Sequence, residues 1–196
     1  MLACAISLPP EKLKCASIVC GLGPPDIGMR GANWVNWAGY TFAWRFMTST
    51  TNRWFWQRDP IGRVDLTDET RLELMRKRWS KPSPTDNKKD VAIYNDEAFL
   101  KTALRNTREG FAQGFDGVLQ EGKLISSNFG FRIEDIRHDL PIQLWYGKYD
   151  TNVPPNHGVQ IAARLGGRAQ LRLEDETHAS LLNLRRQILE EMLKNM

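Results

Sequence analysis

Residues 140–178 constrain this chain more than any other stretch. Leu140 opens a short apolar run, Pro141-Ile142-Gln143-Leu144-Trp145-Tyr146, which ends at Gly147-Lys148-Tyr149-Asp150. A helical pattern over 156–165 closes at Gly166-Gly167. A second strand-like run over 169–173 then leads into Glu174-Asp175-Glu176-Thr177-His178. Strand, helix and strand at this spacing predict a βαβ crossover, whose two strands must be parallel because the helix returns the chain to its starting edge. Their carboxyl ends then share one edge of the sheet, where open α/β sheets place their sites. Asp150 and His178 each fall just past such an end, so they are expected to meet although 28 positions separate them.

The residue types suit one chemistry. A carboxylate that accepts the Nδ1–H of an imidazole fixes its tautomer and leaves Nε2 as a base. The plainer alternative is a surface aspartate at a turn and a histidine on a loop. His138 and His157 carry no such pairing. His138 has only its neighbour Asp139, and His157 opens the crossover helix, where packing or capping is expected.

Two pieces carry a family resemblance: Leu144-Trp145-Tyr146-Gly147-Lys148-Tyr149-Asp150 with Val153-Pro154, and Glu176-Thr177-His178-Ala179-Ser180-Leu181. They resemble the C-terminal part of the α/β-hydrolase superfamily, in which nucleophile, acid and histidine occur in that order. The resemblance implies Asp150 as the acid and His178 as the histidine of a serine-type site. It covers about a third of the chain closely.

The front of the chain fits the same frame. Residues 1–8 read as the last turns of a helix stopped by Pro9-Pro10, with no capping side chain in front. Residues 13–20 read as a buried strand closed by Gly21-Leu22-Gly23-Pro24-Pro25. This pairing resembles the helix and strand that come after the nucleophile elbow in the superfamily, as though the chain began at or just after that elbow. No Gly-x-Ser-x-Gly occurs: Ser7, Ser17, Ser49, Ser80, Ser83, Ser126, Ser127 and Ser180 all lack the flanking glycines. Two of three triad members are therefore expected here, and a truncated fragment is the expected account of the short length.

Residues 28–127 have another character. Six of the seven tryptophans lie there: Trp34, Trp37, Trp44, Trp54, Trp56 and Trp79. Apolar residues recur at helical spacing over 33–47, Thr67 can cap a helix with Leu72, Met75 and Trp79 beneath, and Asp96 can cap another with Leu100 and Leu104. Residues 76–90, with Pro82 and Pro84, read as an exposed polar loop, and Arg76-Lys77-Arg78 with Lys88-Lys89 as a solvated face. A helical insertion of this kind resembles the superfamily's cap. Packing of that subdomain is the first expectation for its tryptophans, and lining of an apolar substrate pocket the second. Beyond His178, residues 180–196 predict a helix with Leu181, Leu184, Ile188 and Met192 on one stripe.

The expected architecture is thus α/β, a partial α/β-hydrolase fold of parallel strands with a mostly helical cap. Residues 1–27 and 128–196 form the core, and 28–127 the cap. Strands are expected near 13–20, 142–146 and 169–173. The composition, 41% hydrophobic and 26% charged with a net charge of +4, is that of an ordinary globular chain. The mild basicity comes without a nucleic-acid motif, and no apolar run reaches the length of a membrane span. Residues 1–8 are too short for a signal peptide and lack its charged start.

Cys4, Cys15 and Cys20 show neither metal-ligand spacing nor a paired framework, so buried or free thiols in a cytoplasmic setting are expected, with no metal and no cofactor. Two functions remain open. One is inherited hydrolysis of an ester, amide or related bond in a small apolar substrate, inactive in this chain alone. The other is a non-catalytic module whose unpaired sheet edge takes a partner chain or whose fold holds a ligand.

Overall fold

The computed structural model describes residues 1–79 and 87–194. In chain order the helices are α1 (Leu2–Ser7), α2 (Trp34–Ala38), α3 (Trp44–Phe46), α4 (Ser49–Trp56), α5 (Asp68–Trp79), α6 (Lys88–Tyr94), α7 (Glu97–Gly110), α8 (Asp116–Ile125), α9 (Asn156–Arg164) and α10 (Arg185–Lys194). The strands are β1 (Ala16–Val19), β2 (Ile142–Gly147) and β3 (Gln170–Glu174). They form one parallel sheet in the order β1-β2-β3, so the expected three-stranded parallel arrangement is observed. None of the helices is long and apolar enough to cross a membrane, among the described residues.

The chain divides into two compact units, Met1–Thr41 with Ile125–Met196, and Phe42–Leu124. The stretch 28–41 therefore belongs with the sheet.

In the sheet unit, β2 is central and buried along its whole length, as a continuous apolar run in a parallel sheet must be. Leu144, Trp145 and Tyr146 are each fully buried, and Ile18, Ile133, Ile136, Ile161 and Leu165 join the surrounding core. β3 lies at an edge and is largely exposed. The crossover helix α9 ends where Gly166 and Gly167 take left-handed φ values of 65° and 75°, a conformation that glycine adopts without a Cβ penalty. Just beyond, the Arg168 guanidinium donates to the carbonyls of Ile136, Arg137 and Leu165 at 2.6, 2.6 and 2.9 Å. One side chain thereby ties the approach to β2 to the exit of α9.

The C-terminal segment differs from a single helix. A 3-10 turn, Ser180–Leu184, precedes α10. Leu181 and Ile188 are buried as the stripe requires, while Leu182, Leu189 and Leu193 are exposed.

In the second unit the described elements are all helical. Thr67 and Asp96 cap α5 and α7, accepting from the N–H of Thr70 at 3.4 Å and of Phe99 at 2.7 Å. Met75, Leu100 and Leu104 form the buried centre, with Leu72 and Trp79 packed against it. The expected polar loop over 76–90 is partly helix, since α5 runs to Trp79 and Asn87 caps α6; its proline-containing part lies outside the described residues. Helices α4 and α8 are not legible in the sequence: α4 carries its apolar residues, Trp54, Phe55 and Trp56, at one end, and α8 contains the helix-disfavouring Gly117 and Gly122.

The tryptophans of 28–127 divide. Trp56 packs against Phe111 and Trp79 against Tyr94, as tilted ring pairs with centroids 5.1 and 5.4 Å apart, whereas Trp34, Trp37 and Trp54 are 78%, 46% and 56% exposed. Simple packing therefore accounts for only some of them. The basic cluster is partly paired, Arg76 with Glu97 at 2.6 Å and Arg78 with Asp59.

Candidate active site

The ends of all three strands carry the site. Residues Gly147 and Glu174 face each other in the β2–β3 register, and the ladder continues past them: Lys148 N donates to Glu174 O at 2.8 Å and Tyr149 N to Glu176 O at 3.1 Å. The turns after β2 and β3 are thus zipped together, and they bring Asp150 and His178 side by side. His178 Nδ1 lies 2.9 Å from Asp150 Oδ2.

Asp150 is held before it meets the imidazole. Its Oδ1 accepts from the backbone N–H of Asn152 at 2.8 Å and of Val153 at 2.9 Å, and its side chain is fully buried. A carboxylate removed from water needs such donors. The turn is clamped in its turn by α2: Asn152 Oδ1 accepts from Asn33 Nδ2 at 3.0 Å and Asn36 Nδ2 at 2.8 Å, and Asn33 N donates to Thr151 O at 2.8 Å. With Oδ1 fixed, Oδ2 faces the histidine as an acceptor, which assigns the proton to Nδ1 and the lone pair to Nε2. The His178 side chain is 38% exposed, so the ring reaches solvent while its acid does not.

The loop bearing His178 is a buried polar knot. Thr177 donates to Ser180 Oγ from both its N–H and its hydroxyl at 2.8 Å, and Ser180 Oγ donates to Glu176 Oε2 at 2.5 Å. Thr177 and Ser180 are buried, so the serine closest in sequence to the histidine serves the loop's architecture. Replacing Ser180 with Ala removes an acceptor for two buried donors. The expected cost is roughly 1–3 kcal/mol in a urea titration, and an unchanged midpoint would remove Ser180 from this role.

A third group stands at the end of β1. Cys20 takes a φ of 48°, its N–H donates to Trp145 O at 2.9 Å, and the carbonyl of the next residue, Gly21, accepts from Tyr146 Oη at 2.6 Å. Burial raises the Tyr146 phenol well above its ordinary pKa, with Cys20 and Asp150 adding to the effect, so it stays a donor. Donor atoms of Cys20, Asp150 and His178 all lie within 4.8 Å of one another. These three could hold a metal ion. Cysteine spacing in the sequence gave no hint of this, and the expected strand over 13–20 took in Cys20; in the structure β1 ends at Val19, which leaves Cys20 just past its carboxyl end.

The other histidines take structural places. His157 is buried, accepts from Gly23 N–H at 3.1 Å through Nδ1, and turns Nε2 to Met29 Sδ at 3.3 Å. Burial pushes its pKa down to about 4, with Asp150 opposing weakly. His138 is exposed, and Asp139 pairs with Arg137 at 2.5 Å.

No protein-family model, curated protein or solved structure matches the chain. The site therefore rests on its own geometry.

Proposed function

We propose that the chain carries the acid–histidine part of a serine-type hydrolytic site of α/β-hydrolase lineage, directed at an ester, amide or related bond in a small apolar substrate. The observation that carries this reading is the 2.9 Å contact between His178 Nδ1 and a buried Asp150 whose other oxygen is held by two backbone donors. Asp150 orients the ring and stabilises the imidazolium. Nε2 takes the proton from a nucleophile and returns it to the leaving group, then activates water in the second half-reaction.

No Gly-x-Ser-x-Gly nucleophile stands among the 196 residues. On this serine-type reading the pair serves a nucleophile on another polypeptide segment, and the chain by itself is expected to be inactive. The test is hydrolysis of a short-chain p-nitrophenyl ester by the chain alone and by the chain joined to an elbow-bearing N-terminal half of an α/β-hydrolase. Turnover is expected only in the joined form. There Asp150→Asn should lower it by about 10⁴-fold, and His178→Ala should lower it comparably. Equal turnover with and without His178 would end this reading.

One observation favours a second reading, a non-catalytic module that binds a partner chain. Among the described residues β1 pairs with β2 alone, which leaves its other edge open to strand addition. Light scattering on a sizing column separates the two: a stable monomer speaks against an obligate partner.

A further inference from the structure

We propose that Cys20, Asp150 and His178 form a binding site for a thiophilic divalent cation, with Zn²⁺ as the best fit. The three donors come from three different strand ends, and they converge within 4.8 Å. A thiolate, an imidazole and a carboxylate are the ligand types that Zn²⁺ takes, and three protein ligands with a solvent position make an open tetrahedral site. Hard cations prefer all-oxygen shells, so the sulfur argues against Mg²⁺ and Ca²⁺.

Each ligand is already placed. Cys20 is aimed by its left-handed backbone and by the ladder bond to Trp145. Asp150 keeps Oδ1 on its two backbone donors and so offers Oδ2. His178 turns Nδ1 to that same oxygen, and its partly exposed ring leaves an approach from solvent. Zn²⁺ bonds of about 2.0–2.3 Å set tetrahedral donors about 3.3–3.8 Å apart. Against that spacing the 2.9 Å between Nδ1 and Oδ2 would open slightly, and the cysteine sulfur would move inward by up to roughly 1 Å.

Taking Nδ1, the nitrogen that faces Asp150, as the ring ligand fixes the proton balance. The thiol loses its proton to solvent, and the ring proton leaves Nδ1 for the metal to bond there and is carried on Nε2 instead. A ring protonated at Nε2 and metallated at Nδ1 has no lone pair left for base work. The cation and the Asp150–His178 hydrogen bond are thus mutually exclusive. Binding itself stands on the three donors and needs no hydrolytic role for the pair; only the silencing of hydrolysis rests on the function proposed above.

The test is titration of the chain with Zn²⁺ alone by calorimetry, with Co²⁺ as a spectroscopic probe. One ion per chain is expected, with a thiolate-to-cobalt charge-transfer band. Cys20→Ser, Asp150→Asn and His178→Ala should each weaken binding by at least about tenfold, since loss of even an outer-shell partner costs that much. Cys4→Ser with Cys15→Ser should leave it unchanged, Mg²⁺ should not compete, and Zn²⁺ should raise the melting temperature of the parent chain but not of Cys20→Ser. Absence of binding overturns the proposal. So does a charge-transfer band that survives Cys20→Ser, or one that vanishes with the Cys4 and Cys15 substitutions.

Discussion

Acidification from pH 6.5 to pH 4 is expected to remove about 3 kcal/mol of stability through His157 alone. The imidazole is buried and its pKa is depressed from 6.5 to about 4. Its Nδ1 accepts from Gly23 N–H, so a proton there would set two donors face to face. In the unfolded chain the ring titrates near its ordinary value. Above pH 6.5 both states carry a neutral ring and the contribution is complete. Between 6.5 and 4 the unfolded state binds the proton and the folded state does not, so stability falls as pH falls. A difference of about 2.5 units at 1.36 kcal/mol per unit gives the size of the effect. Urea titrations across this range, set against His157→Asn, isolate it, because groups common to both proteins cancel in the difference. Asn keeps an acceptor near Gly23 and has nothing to titrate. Parallel pH profiles for the two proteins would show that His157 does not carry this term.

Gly147→Ala is the substitution expected to do most harm near the site. A Cβ at this position would lie 2.3 Å from the carbonyl oxygen of Glu176 and 2.8 Å from its carbon. Both are backbone atoms, so no side chain can swing aside. The segment that would have to retreat carries Thr177 and His178, and it is zipped to β2 by Tyr149 N–H on the same Glu176 oxygen. Overpacking costs about 1–3 kcal/mol, and the rigid obstacle puts this case at the upper end or above. The displaced loop should also break the Asp150–His178 contact, seen as loss of the low-field Nδ1 proton in ¹H NMR. Gly117→Ala is the contrast: it stands in α8 with open space around it and should stabilise by about 0.5–1 kcal/mol. If the Gly147 variant matched the parent in stability and kept the low-field proton, the close approach would have no bearing on the site.

How far the sequence reaches can be judged residue by residue. It placed the three parallel strands, the crossover helix over 156–165 and the caps at Thr67 and Asp96, because period, turn residues and capping are local signals. It placed Asp150 beside His178 because the handed βαβ connection makes strand ends coincide whatever lies between. It missed the clamp of Asn33 and Asn36 on the acid's turn and the Glu176–Thr177–Ser180 knot, since hydrogen bonds to particular side chains leave no periodic trace. It read 33–47 as one helical stretch, and the backbone is helical from Trp34 to Phe46; what it did not show is the π-helical turn over Gly39–Ala43 that joins α2 to α3.

The order of residues was thus enough to dictate a parallel sheet with an acid and an imidazole at one edge. That result comes from chain direction and handedness, which act at every position. Only the packed molecule decided that a thiol joins them, since Cys20 reaches the pair through the β1–β2 register. Packing also decided which tryptophans are covered and which histidine stays neutral, because burial is a property of whatever surrounds a residue and is written nowhere in its neighbours along the chain.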